Sequence, residues 1–139
     1  MSTPRGIRNN NPGNIDWNKN NKWVGQLEHV ASIEPRFCRF DTPEHGIRAL
    51  AKLLYNYQRK SGIQNIAGIV IKYAPPAENK TKSYIDHVGK MCGVDPYATV
   101  DVKSILHKLV PAIIEHENGQ QPYTEQQIDA GIQMAFAGK

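Results

Sequence analysis

From residue 42 onward, apolar residues recur every three or four positions, the spacing of one helical face. Thr42 is placed to cap, Pro43 suits a first turn, and Glu44 suits the positive end of a helix dipole. Ile47, Leu50, Ala51, Leu54 and Tyr57 then form one stripe, ended by Ser61-Gly62. Asn65 is expected to cap a short helix through Ile66, Ile69 and Val70 that stops before Ala74-Pro75-Pro76. A third helix is predicted from about Thr81 to Cys92, burying Tyr84, Ile85, Val88 and Met91 and ending at Gly93. Asp101 starts a fourth, which Pro111 should kink or divide because proline lacks an N–H and clashes with the preceding turn. Thr124-x-x-Gln127 reads as a capping box for a last helix carrying Ile128, Ile132 and Phe136.

The first forty residues follow another pattern. Arg5 to Ile15 contains four asparagines, two glycines and a proline, which favour turns and side-chain-to-backbone hydrogen bonds over regular structure. Ile7, Ile15, Trp17 and Trp23 give this tract apolar anchors that a linker lacks. Short strands are expected around Trp23-Val24-Gly25 and Phe37-Cys38-Arg39-Phe40, paired as a small β-hairpin. The expected fold is a single, mainly α domain over residues 1–139 with an irregular N-terminal arm.

One carboxylate breaks the apolar pattern. Glu117 lies seven and four residues after Val110 and Ile113, on the face that Val102, Ile105, Leu106 and Leu109 continue upstream. Glu115 falls about 200° from Ile113 round the helix and is expected to face solvent. An acid aimed at a core, one turn before an Asn-Gly stop, is costly to bury unless it is paired or used. Apolar surroundings favour the protonated form of a carboxyl, which a general acid requires.

The 139 residues suffice for one substantial core. No apolar run reaches the roughly 18 to 20 residues that span a bilayer, and Met1-Ser2-Thr3-Pro4-Arg5 lacks the apolar stretch of a secretory signal. A target outside the cytoplasm would therefore need another delivery route. The net charge of +4 suits an anionic partner, yet Lys and Arg are spread along the chain, which argues against a nucleic-acid-binding stripe. Cys38 and Cys92 have neither metal-ligand nor redox spacing and are expected as buried free thiols. The five histidines form no H-x-x-x-H pair, so neither a metal nor another cofactor is expected.

Three segments together resemble the lysozyme-like superfamily of peptidoglycan glycosidases. Ile113-Ile114-Glu115-His116-Glu117-Asn118-Gly119-Gln120-Gln121-Pro122 is similar to the catalytic helix end of lytic transglycosylases, Glu-Ser-Gly followed by Asn-Pro, with Asn118 in place of Ser and Gln121 before Pro122. Asn11-Pro12-Gly13-Asn14-Ile15, then Trp23-Val24-Gly25, then Phe37-Cys38-Arg39-Phe40 resemble the loop, Trp-x-Gly and aromatic motif of bacterial glucosaminidase domains. Tyr84 falls in a segment that resembles their later substrate-side tyrosine. In those enzymes the glutamate helix comes first, whereas here it comes last, so the resemblance implies a circular permutation, which nearby chain termini permit. The opening Arg5 to Asn14 also resembles small phage and prophage proteins described as lysozyme-like or structural.

The resemblance implies cleavage of β-1,4 bonds between MurNAc and GlcNAc by a lytic transglycosylase or muramidase, with Glu117 as general acid/base. The implied substrate contacts are Asn11, Asn14, Trp23, Tyr84, His116, Gln121 and Tyr123. Trp17, Tyr57 and Tyr73 complete the aromatic stock, and Asp16, Glu28, Glu44 and Asp86 are the candidate second carboxylates. The implied partners are glycan strands and other phage-particle proteins, with no nucleic acid and no stable membrane insertion. The implied place is a virion, or a bacterial cell wall reached by delivery. The competing expectation is a non-catalytic virion structural protein of the same shape.

Overall fold

Residues 3–76 and 80–137 are described by a computed structural model. Its helices are α1 (Arg5–Arg8), α2 (Pro43–Arg59), α3 (Ile66–Tyr73), α4 (Thr81–Cys92), α5 (Val102–Asn118) and α6 (Glu125–Phe136). The mainly helical class and the positions of α2 to α6 agree with the sequence pattern, largely because the caps do, whereas α1 forms in the tract expected to be irregular. Thr42 Oγ1 accepts from the His45 N–H and the Asn65 side chain from the Gly68 N–H. Thr124 and Gln127 exchange both bonds of the capping box. Gly93 and Gly119 close α4 and α5 in the left-handed conformation. Asp101 precedes α5 without capping it by its side chain, and Gln58 Oε1 takes the Val102 N–H instead.

Pro111 does not divide α5, which runs unbroken from Val102 to Asn118. The carbonyl four residues before it belongs to exposed His107, where water can replace the missing N–H donor. The expected β-hairpin is absent among the described residues, where pairing is limited to isolated bridges, Asp16 with Phe37 and Gln26 with Phe40. Side chains serve the arm's backbone in place of a ladder. Met91 is also not buried: it is 39% exposed, outside the face that Tyr84, Ile85 and Val88 turn inward.

α2 packs against α6, α5 and α3, and α4 against α5 and α3. Ile47, Leu50, Leu54, Ile66, Ile69, Leu106, Leu109, Ile113 and Ile114 are fully buried between them. The same apolar cluster takes in Ile15, Cys38 and Phe40 of the arm. Cys38 and Cys92 are buried free thiols, as expected. The arm lies directly on α2: a Cβ at Gly46 would fall on the Asn10 carbonyl oxygen. Among the described residues no helix is long and apolar enough to cross a membrane.

Candidate functional site

The arm is held by its polar side chains. Glu34, 1% exposed, accepts from Arg5 Nε and Nη2 at 2.7 and 2.6 Å, from Asn9, and from the backbone N–H groups of Arg36 and Phe37. The Arg5 hydrogen bonds, aided by the other donors, hold this carboxyl well below the usual range. Asn11, fully buried, donates to the carbonyls of Ile15 and Cys38 and accepts from the Ile15 N–H. Its amide is wholly used inside the loop, so Asn11 is an organiser of the arm and not a surface for sugar.

This loop delivers Asn14 to the end of α5. Asn14 sits at φ 52° and donates its side-chain N–H to Glu117 Oε1 at 2.9 Å. From α4, the buried Tyr84 hydroxyl donates to Glu117 Oε2 at 2.8 Å. The carboxyl is thus half-buried and gripped on both oxygens, one from each side. The expected purely apolar setting on the Val110 and Ile113 face is replaced by a polar one. Asn118 fixes the helix end further, donating to the carbonyls of Pro12 and Ile114. Gly6 of α1 lets these parts meet, since a Cβ there would lie 2.6 Å from Asn118 Oδ1 and 2.9 Å from Asn14 Oδ1.

Glu117 opens onto a cleft of about 480 Å³ lined by Asn14, Asp16, Trp17, Asn18, Asn21, Trp23, Arg36, Phe37, Leu53, Tyr57, Lys72 and Tyr73. Both tryptophans of the chain face it. One face of Trp17 stacks on His29 with ring centroids 3.9 Å apart, while the residue stays 37% exposed. Lys72 lies over the Tyr57 ring, and burial pushes the Tyr57 phenol up to about 12. Tyr73 donates its hydroxyl to the Gly13 carbonyl; burial and the nearby Glu117 charge keep that phenol protonated. Aromatic faces, side-chain amides and two cations thus surround one held carboxyl.

The predicted set divides accordingly. Glu117, Asn14 and Trp23 share the cleft, as do Trp17, Tyr57 and Tyr73 of the aromatic stock. Tyr84 lies beneath Glu117 and not on the cleft wall. His116 is behind Tyr84, stacked on its ring with centroids 3.7 Å apart. Gln121 is turned to the Pro111 carbonyl, and Tyr123 packs against the core with its hydroxyl buried and without a partner among the described residues. Neither lines the cleft. Of the candidate second carboxylates, Asp16 alone lines it, paired at 2.9 Å with Arg36. Glu28 is exposed, Glu44 stands in the first turn of α2, and Asp86 is paired with Lys82. Sequence reading missed Asn118, Lys72 and the Glu34 clamp; only the Asn-Gly stop hinted at the first of them.

Over 136 residues the chain is 38% identical to Protein P5 of Pseudoalteromonas phage PM2, covering 96% of this chain and 83% of that protein. It belongs to the family of that phage protein. No family model matches the chain. The relationship spans nearly the whole chain, arm and helices alike.

Proposed function

We propose that the protein is a peptidoglycan glycosidase of lysozyme-like architecture that cleaves the β-1,4 bond between MurNAc and GlcNAc. The observation that carries this reading is Glu117, held on both oxygens at the end of a helix and facing a cleft lined by both tryptophans. Sugar rings present flat C–H faces to aromatics, and their hydroxyls and acetamides match Asn18 and Asn21 on the cleft wall. Lys72 and Arg36 supply positive charge for the carboxylates of a wall polymer.

In this reading protonated Glu117 gives its proton to the glycosidic oxygen as the bond to the anomeric carbon breaks. The resulting carboxylate meets two donors already in place, Asn14 and Tyr84, so little reorganisation accompanies the charge. With Asp16 engaged by Arg36, the route that asks least of a second carboxylate is attack by the sugar's own hydroxyl. Its proton returns to Glu117 and leaves an anhydro sugar. The phage origin of the relative is compatible with work at a bacterial cell wall.

Wild-type protein and Glu117→Gln are added in parallel to isolated peptidoglycan, and the soluble fragments are read by mass spectrometry. Anhydro-muropeptides from wild type alone support a transglycosylase, and reducing ends support a hydrolase with Asp16 as the next residue to replace. No release from folded wild type overturns the reading in favour of a virion structural role.

A further inference from the structure

Behind the site lies a second set of titratable groups that the proposed reaction does not use. Tyr84 and His87 are three residues apart on one face of α4, opposite Glu115, His116 and Glu117 at the end of α5. The Tyr84 hydroxyl holds Glu117, and its ring is covered by His116 at an interplanar angle of 28°. His116 Nδ1 is 2.8 Å from His87 Nδ1, and His87 Nε2 lies 3.7 Å from the Glu115 carboxylate. A chain of direct contacts therefore runs from Glu115 through His87, His116 and Tyr84 to Glu117.

The Nδ1-to-Nδ1 contact restricts the protonation of the pair. At 2.8 Å one nitrogen must donate and the other accept. Two neutral rings meet this condition, and so do one neutral ring and one imidazolium. Two imidazolium rings do not, since both nitrogens then carry hydrogen and both rings carry charge. Glu115 is the carboxylate that faces His87. Burial, and then the His87 charge, make His116 harder to protonate than an ordinary imidazole. Around the pair, α4 contributes Tyr84, and α5 contributes Glu115 and, beyond Tyr84, Glu117. From α3 the titratable neighbour of the Glu117 side is the neutral Tyr73 phenol, and the α1 cations Arg5 and Arg8 are turned to Glu34.

We propose that His116 and His87 are positioning residues: paired, they press Tyr84 onto Glu117, and double protonation releases that hold. The contact geometry of the pair is independent of any catalytic reading; its consequence for turnover rests on Glu117 being the acid of the site.

The test is an NMR titration of the histidine rings and of the Glu117 side-chain carboxyl in the intact protein, run beside the pH profile of wall lysis. In wild type, His116 is expected to titrate in a step lower than that of an ordinary imidazole and coupled to the charge on His87. That step should coincide with an added inflection in the Glu117 carboxyl signal. His116→Phe keeps a ring on Tyr84 and should abolish that inflection; His87→Gln, as a second variant, should move His116 back toward ordinary titration. The lysis rate of wild type should fall about tenfold across the His116 step, and that of His116→Phe should not. Independent single-step titrations, unchanged between wild type and either variant, overturn the proposal. Coupled titrations with no lysis at any pH keep the clamp and overturn the glycosidase; lysis with uncoupled titrations does the reverse.

Discussion

Asn14 and Glu117 stand 103 residues apart in sequence, and the Asn14 amide donates to Glu117 Oε1 at 2.9 Å. The arm is therefore part of the site. Its backbone at Asn14 is left-handed, which Asn tolerates and Ala does not. Asn14→Gly should remove the donor with little strain, and Asn14→Ala should cost about 1 kcal/mol more in stability. Both should slow wall lysis by about tenfold or more, the worth of a hydrogen bond to a charged group. Denaturant unfolding with lysis rates on the same samples checks both parts; equal stability for the two variants would refute the backbone argument.

Gly6→Ala should act at a distance on the same carboxyl. The new methyl would meet Asn118 Oδ1 and Asn14 Oδ1 at under 3 Å, so α1 must move away from α5 or both amides must turn. A loss of about 2 kcal/mol is expected, with weaker lysis by the fraction that stays folded. Unchanged stability would mean that the arm is not seated on α5.

Tyr84→Phe isolates the second donor. The ring keeps its stack on His116 while the hydroxyl that reaches Glu117 is lost. Stability should change by no more than about 1 kcal/mol, and lysis should slow by about tenfold. A fully active Tyr84→Phe would leave Asn14 as the residue that matters.

Both tryptophans line the cleft, which makes intrinsic fluorescence a direct report on occupancy. Titration with a soluble N-acetylglucosamine oligomer should shift or quench the emission, and Trp17→Phe and Trp23→Phe should each remove part of the change. An emission spectrum indifferent to the oligomer, in folded protein, would count against a glycan cleft.

Acid should loosen the arm first. The Glu34 carboxyl titrates below its ordinary range in the fold, so the folded state binds fewer protons there than the unfolded chain. Its contribution is full above the ordinary carboxylate value of about 4.3 and is lost as pH falls through the lower, folded value. Glu34→Gln should lower neutral-pH stability by about 2 kcal/mol and flatten the loss of stability below about pH 4. Parallel acid profiles for the two proteins would show that Glu34 is not the group responsible.

The helices were legible because their signals are local. Thr42, Asn65 and Thr124 cap within three residues of themselves, and Gly93 and Gly119 stop their helices at the positions where they stand. Glu117 was found by the same local means, as a carboxylate in phase with the apolar face of its helix. The reading failed where a short segment suits two outcomes. Phe37-Cys38-Arg39-Phe40 alternates as a strand does, yet its backbone is shared between isolated bridges and the amide of Asn11. Pro111 looked like a break, but α5 runs through it unbroken, past the exposed His107.

By itself, then, the sequence determined the helical class, the positions of α2 to α6 and the one acid that its helix sets apart. Tertiary structure decided which asparagine serves the loop and which the carboxyl, that Tyr84 and His116 stand behind Glu117 and not before it, and that Glu34 anchors the arm. The physical reason is range. Capping and periodicity are settled within a turn or two of helix, whereas these contacts join residues 25 to 106 positions apart. Which of many similar amides and rings meets a given partner is fixed only when the buried apolar faces of α2, α4, α5 and α6 bring them together.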